Sequence, residues 1–537
     1  MKNSFVVSIA ILLSFLSLYN CDNLSKVTVD GTKFVVDGKD IWMVGVNTPW
    51  DKWNDFGGSF DETFWDTHFA NLHSLGINSS RVWISCNGNY VQISDDGKVS
   101  GPTDKFYQDT ERLLQIADKN GIYIMATLMS FDNFKDEGQP YLAWRKLLES
   151  EENMDSYVEN YVVPFVKKFK KYNSLWSIDL CNEPDWVNEN DFCGQIAWEK
   201  INKLFAKSAA AIHENSDVLV TVGFGMIKYT SDKYQANYGD DDYLKELINN
   251  EKAYYDFDSP HFYEWEAEWW GFPFDTTPVK FGLGGKRPAL IGEFPATGFT
   301  TNTKNSKDMT ADECYVSAYK WDWNGIMAWT SNGVDSNGKL DNFINGAKEV
   351  ATMVANGEER GSEANKGKDD FVQTMDKVVV KGVNFQVNGK DIFMNGVNTP
   401  WDKWNDFGGS FDESFWETHF AKLHEAGINS SRVWISCNGW YVQITSSGKV
   451  KGPTVQFWED TERLLQIADK NGIYIMATLM SFDFFKNEGQ SYEAWRKMLD
   501  SESNMDSYVE NYVVPFVEKF KKYNSLWSID FLQWLAY

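Results

Sequence analysis

The chain has 537 residues and a formal net charge of −26, from 77 acidic and 51 basic side chains. That surplus repels phosphate backbones and anionic lipid, so a nucleic-acid partner is not expected, while a neutral substrate is compatible with it. Hydrophobic residues make up 43% and aromatic residues 16%, enough for a large core, and the length is that of two or more domains.

Residues 1–21 read as a secretory signal: Lys2, an apolar run over 5–18, then polar Asp22 and Asn23. The run is shorter than the roughly 20 residues that cross a bilayer. A secreted, extracellular protein is therefore expected, with no membrane association once the signal is removed. The six cysteines (21, 86, 181, 193, 314 and 437) are too few for a disulfide framework but leave room for one or two bridges. The histidines show no metal-binding spacing and no glycine-rich phosphate loop is present, so neither metal nor cofactor is expected. Asn23-Leu24-Ser25 is a glycosylation sequon.

Apolar alternation around Asp30-Gly31 and Asp37-Gly38 predicts a short hairpin over 27–40. Strand-like runs follow at 41–47, 77–84, 122–128, 175–181, 218–222, 255–263, 289–293 and 326–330. Helical periodicity lies between them at 61–75, 104–119, 154–171, 196–213 and 312–321. Eight βα units predict an α/β fold, a (β/α)₈ TIM barrel, with a catalytic domain over 27–355. An open doubly wound sheet would show similar alternation, but the chain has no nucleotide fingerprint.

Barrel active sites sit at the C-terminal ends of the strands. Asn182-Glu183-Pro184 directly follows the fourth run, His261 and Tyr263 end the sixth, Glu293 closes the seventh and Trp329 the eighth; Arg81 and Trp83 lie in the second. A carboxylate straight after an apolar strand is costly to bury without a partner or a role. Two of them, on strands four and seven, can face each other across the mouth. Glycoside hydrolysis needs such a pair, one acid to protonate the leaving oxygen and one carboxylate to attack the anomeric carbon. Arg81 is placed to keep Glu293 charged, and Asn182 to bond a sugar hydroxyl.

This ordered set resembles glycoside hydrolase family 5. The resemblance covers about 27–354 and rests on Arg81, Asn182-Glu183-Pro184, His261-x-Tyr263, Glu293 in Gly-Glu-Phe and Trp329. It implies Glu183 as general acid/base and Glu293 as nucleophile of a retaining mechanism. It also implies supporting roles for Arg81, Asn182, His261 and Tyr263, and a sugar platform at Trp329. The loop bearing Trp50 and Trp53, with Trp265, Trp269 and Trp270, is expected to line a cleft suited to an internal cut in a β-linked polysaccharide. Glu264, Glu266 and Glu268 are read as solvated or sugar-contacting. The Trp50–Gly57 loop, the Arg-Val-Trp strand and the His-Phe-Tyr-Glu-Trp segment resemble the β-mannanase branches. That makes β-1,4-mannan the expected substrate. An endo-β-1,4-glucanase is the alternative, and a non-catalytic carbohydrate-binding protein the alternative of another class.

Residues 46–57, 80–88 and 111–128 recur as 397–408, 431–439 and 462–479, a constant offset of 351. A period this long is a tandem copy of a domain rather than a solenoid repeat. The polar stretch 356–371 reads as a linker. The second copy, 372–537, matches through Asp530 and then diverges; Trp534 stands where the first copy has Glu183. It is read as a truncated, non-catalytic half barrel.

Overall fold

The computed structural model describes residues 24–138, 140–231, 233–234, 236–364, 371, 373–487 and 491–531. The signal, Asn23 of the sequon, Cys21 and Trp534 lie outside the described residues. The chain divides into two compact units, Met1–Asn365 and Lys366–Tyr537.

The first unit is a barrel of eight parallel strands: β1 Met43–Asn47, β2 Ser79–Trp83, β3 Tyr123–Thr127, β4 Leu175–Asn182, β5 Leu219–Phe224, β6 Ser259–Pro260, β7 Ile291–Pro295 and β8 Gly325–Trp329. Their order in the sheet is β6-β5-β4-β3-β2-β1-β8-β7. Parallel bridges Asp258–Ala289 and His261–Glu293 join β6 to β7 and close the ring. Every residue of these strands is buried. That burial on both faces explains why they read as continuous apolar runs rather than alternating ones.

Helices fall where the periodicity places them. Glu62–Ser74 starts at Asp61, whose carboxylate accepts the Thr63 and Phe64 N–H groups, and it buries Trp65, Phe69 and Leu72 against the sheet. The helix expected at 154–171 is broken in register: Glu151–Tyr157 and Val163–Phe169 flank a π-helical turn at Val158–Val162. Pro164 stands at the start of the second segment and has no N–H to continue an α-helical ladder.

The expected hairpin is a three-stranded antiparallel ribbon, Val27–Asp30, Lys33–Val36 and Lys39–Asp40. It seals the N-terminal end of the barrel. Phe34 packs edge-on against Trp176 and Phe257 at 5.2 Å each, in a cluster with Met43, Leu219 and Met327.

Two expectations need correction, and the state of the cysteines, left open by the sequence, is defined. Strand six is only the pair Ser259–Pro260, because the rest of 255–263 leaves the ladder to build the site. The first half of the expected linker is tied to the barrel: Arg360 pairs with Asp40 and Asp322, and Gly361 N–H donates to Tyr319 O. Cys86, Cys181, Cys193, Cys314 and Cys437 are all buried free thiols, so no bridge forms among the described cysteines. No described helix is long and apolar enough to cross a membrane.

The second unit repeats the first half of this plan. Strands β9 Gly396–Asn398, β10 Ser430–Trp434, β11 Tyr474–Thr478 and β12 Leu526–Asp530 form a parallel sheet in that order. The unit has its own core, including Trp416, Phe420, Leu464, Trp495 and Phe516. Several apolar positions differ in exposure from their counterparts. Phe393 is 84% exposed where Trp42 is 3% exposed. Met505 and Val517 are exposed where Met154 and Val166 are buried.

Candidate active site

Glu183 reaches the mouth through its backbone. It follows the last residue of β4 with φ at +46°, a left-handed conformation unusual for a residue with a Cβ. Its N–H donates to Gly223 O at 2.8 Å, which fixes the turn against β5. Asp185 then anchors the next residues by accepting the Gly225 and Met226 N–H groups. A Cβ on residue 225 would stand 3.2 Å from the Glu183 carboxyl carbon, so a larger residue there would press on the Glu183 side chain.

Glu293 projects from the middle of β7 and is 4% exposed. One oxygen, Oε1, accepts from Tyr263 Oη at 2.5 Å, and Oε2 accepts from Arg81 Nη1 at 3.2 Å. His261 Nδ1 lies 3.1 Å from Glu183 Oε1 and 3.4 Å from Glu293 Oε2. A carboxylate oxygen from each glutamate and a ring nitrogen of His261 all lie within 4.8 Å of one another. Among the described residues this trio is also the group spaced to hold a metal ion, but an arginine already donates to one of its carboxylates.

Arg81 is completely buried and its fork is saturated. Nε and Nη2 donate to Asp179 Oδ2 at 3.0 and 2.7 Å, Nη2 to Asn182 Oδ1 at 2.8 Å, and Nη1 to Asn47 Oδ1 at 3.1 Å. Asp179 in turn accepts from Thr127 Oγ1 and from the Gly223 N–H. Arg81 therefore ties strands β1, β2, β4 and β7 together beneath the two glutamates.

Burial pushes the Glu293 carboxyl above its ordinary range, and the nearby Glu183 adds to this; His261, Arg81 and the Tyr263 hydrogen bond oppose it. Burial also holds the Tyr263 phenol well above its usual value, so it stays a donor.

The expected site residues converge. Glu183, Glu293, Arg81, Asn182, His261 and Tyr263 form one connected network. Trp50, Trp53, Trp83 and Trp329 form an aromatic wall beside it: Trp50 lies 4.7 Å from Trp53, 5.2 Å from Trp83 and 5.9 Å from Trp329. Trp53 is 44% exposed, whereas Trp329 is almost covered and donates its indole N–H to Asp335. On the other side, Trp186, Trp265, Trp269, Trp270, Tyr234 and Met226 line a cavity of about 720 Å³. Trp186 Nε1 donates to Glu183 Oε2 at 2.9 Å, which places this cavity against that glutamate.

Two of the three interleaved acids are not as expected. Glu266 is buried and accepts the Tyr263 N–H, and Glu264 accepts from Thr300, Asn302 and Ser306 to hold a loop. Only Glu268 is exposed. Sequence reasoning passed over Asp179, Asn47 and Trp186. Asp179 carried a signal, since it is a lone charge inside the apolar run Leu175–Asn182.

The fold is a (β/α)₈ barrel, and its mouth brings together two carboxylates, from the end of strand four and from strand seven. The resemblance to family 5 stands, and it is carried by β-mannanases. A mannan endo-1,4-beta-mannosidase of Mytilus edulis is 24% identical over 344 residues, 59% of this chain and 90% of that protein. One of Cryptopygus antarcticus is 23% identical over 331 residues, 56% of this chain and 83% of that protein. The crystal structure of the endo-1,4-beta-mannanase of Eisenia fetida superposes with a TM-score of 0.53 at 21% identity, covering 61% of this chain and 95% of that one. No protein-family model matches the chain.

Proposed function

We propose that the first unit is an endo-β-1,4-mannanase that cleaves its polymer with retention at the anomeric carbon. The observation that carries this reading is the pair Glu183 and Glu293, with carboxylate oxygens within 4.8 Å of each other across the barrel mouth. Retaining pairs stand about 5–5.5 Å apart, whereas inverting pairs leave about 6.5–9.5 Å for a water.

Glu183 protonates the glycosidic oxygen while Glu293 attacks the anomeric carbon. The bond to the leaving sugar breaks and a glycosyl ester forms on Glu293. Glu183, now ionised, takes a proton from water, which attacks the ester and releases the second product. Arg81 and Tyr263 stabilise the Glu293 carboxylate before attack and on its release. Arg81 occupies Asn182 Oδ1, which turns the amide N–H end of Asn182 toward a sugar hydroxyl. Trp50 and Trp53 offer flat faces to the sugar rings on one side of the cut, with the almost covered Trp329 packed against Trp50, and the cavity beside Trp186 takes the rings on the other. Clefts open on both sides suit internal cleavage. The mannan preference is supported by the names of the relatives. Secretion is part of the proposal and rests on residues 1–21.

The test is reducing-sugar release from galactomannan, glucomannan, xylan and carboxymethylcellulose. Galactomannan and glucomannan should be cut fastest. Glu183→Gln and Glu293→Gln should each lose at least about 1,000-fold in kcat while keeping the native circular dichroism spectrum. Carboxymethylcellulose as the best substrate would replace the mannanase reading with a glucanase one. Full activity in either variant would overturn the roles.

A further inference from the structure

We infer that the second unit is a non-catalytic binding site for β-linked polysaccharide, built on Trp404 and Trp440. Three of the four indoles of the aromatic wall, Trp50, Trp53 and Trp83, stand on the first two strands and the loop between them, and the second unit repeats these three as Trp401, Trp404 and Trp434. Trp401 lies 4.8 Å from Trp404 and 5.1 Å from Trp434, against 4.7 and 5.2 Å for the corresponding pairs of the first unit. Arg432 sits 5.9 Å from the Trp434 ring, as Arg81 sits 5.8 Å from Trp83, and it pairs with Asp530 as Arg81 pairs with Asp179. Trp404 is 44% exposed, the same as Trp53.

One position differs in a direction that favours binding. Trp440 occupies the place of Asn89 and is 59% exposed. Its position is fixed. Asn438 Oδ1 accepts both the Trp440 N–H at 3.2 Å and the Asn405 side-chain amide at 2.8 Å, which ties the turn bearing Trp440 to the loop bearing Trp404. Asn405 holds φ at +56°, as Asn54 does, so the loop keeps the conformation it has in the first unit. Two indoles on one rigidly bonded pair of loops, both open to solvent, are costly to leave facing water. Their flat faces match the apolar faces of pyranose rings, and no cationic side chain is needed for a neutral sugar. The ring-bearing wall persists while the position of Glu183 holds Trp534, so the unit can grip the polymer without cutting it.

The ligand class rests on the reading of the first unit, so the experiment separates the two. The full chain carrying Glu293→Gln is incubated with insoluble β-mannan, and bound protein is measured with and without Trp404→Ala and Trp440→Ala. Neither indole belongs to the buried core of the unit, so their truncation opens no core. Trp440→Tyr, which keeps a flat ring, serves as the conservative control. The same substitutions in the otherwise unaltered chain are assayed on a short soluble manno-oligosaccharide. The expected result is a retention at least about 5-fold weaker for the double alanine variant, partial recovery with Trp440→Tyr, and unchanged oligosaccharide turnover. Retention unaffected by the double variant would overturn the inference, as would a parallel loss of turnover. Tryptophan-dependent retention by a chain that hydrolyses no mannan would sink the enzyme reading and leave this one standing.

Discussion

Tyr263 Oη donates to Glu293 Oε1 at 2.5 Å while Arg81 Nη1 donates to Oε2 at 3.2 Å, so both oxygens of one buried carboxylate are held by separate donors. The carboxylate is thereby aimed with one edge toward its donors and its remaining lone pairs toward the mouth. Charge-assisted bonds of this kind favour the ionised form.

That relationship sets a pH dependence. Burial raises the Glu293 carboxyl, and the Tyr263 bond is one of the opposing effects. Attack requires the ionised form, so the acid limb of kcat/KM should lie above the ordinary glutamate value. Removing the phenol leaves burial less opposed. Tyr263→Phe should therefore move the acid limb to higher pH, with kcat lowered about 10- to 100-fold. A limb that stays in place or moves to lower pH would show that the phenol does not support the carboxylate.

Arg81 gives a prediction about stability rather than rate. It is fully buried and donates to Asp179, which is also fully buried. Arg81→Met would leave Asp179 and Glu293 in the barrel without their cation. A loss of about 3–5 kcal/mol is expected, read as a fall in the denaturant midpoint of the first unit. Arg81→Lys keeps the charge but cannot bridge Asp179, Asn47, Asn182 and Glu293 at once. It should recover part of the stability and little of the activity.

His261 depends on glycines that neighbour it. A Cβ at position 223 would stand 2.7 Å from His261 Nε2 and 3.1 Å from Arg81 Nη2. Both are buried ring or fork atoms with little freedom to move. Gly223→Ala should displace His261 from the two glutamates and lower kcat by at least about 10-fold. Gly284→Ala, where an added Cβ meets nothing within 4 Å, should leave activity unchanged and serves as the control.

Much of this network was legible because barrel strands are buried on both faces. A continuous apolar run followed by Glu, His or Trp marks a strand end, and that placed Glu183, Glu293 and Trp329. Strand β6 was overdrawn because Phe257, Phe262 and Tyr263 look strand-like, although only Ser259–Pro260 pair within the ladder. The roles of Glu264 and Glu266 were not legible, because a carboxylate bonded to a loop and one in solvent have the same sequence. The attachment of Arg360 to Asp40 and Asp322 was hidden likewise, since its partners are 320 and 38 residues away. Asp179 shows the converse, because a lone charge within an apolar run always needs a partner.

The first unit should also lose stability as pH rises. Burial pushes the Asp185 carboxyl up to about 7 from an ordinary 3.8. A group raised in the folded state binds its proton there at pH values where the unfolded chain has released it. Its contribution is therefore complete below about 4 and is lost as pH rises through about 7. A shift of this size corresponds to roughly 4 kcal/mol. Thermal midpoints should be higher at pH 5 than at pH 8, and Asp185→Asn should flatten that slope. A midpoint that climbs between pH 5 and pH 8 would contradict the assignment.

The two units should differ in local stability. Phe393, Met505 and Val517 are exposed at positions where Trp42, Met154 and Val166 are buried. Apolar surface left in water contributes nothing to folding, at about 25 cal/mol for each Å² not buried. Segments with fewer buried contacts open at lower free energy and exchange their amide hydrogens sooner. Hydrogen exchange on the intact chain should therefore protect β1 to β4 more strongly than β9 to β12, although the two sets share much of their sequence. The gap should be widest between Met43–Asn47 and Gly396–Asn398, since the first strand is wholly buried and the second is largely exposed. Equal protection of these two strands would mean that the exposed faces of the second unit are covered in solution.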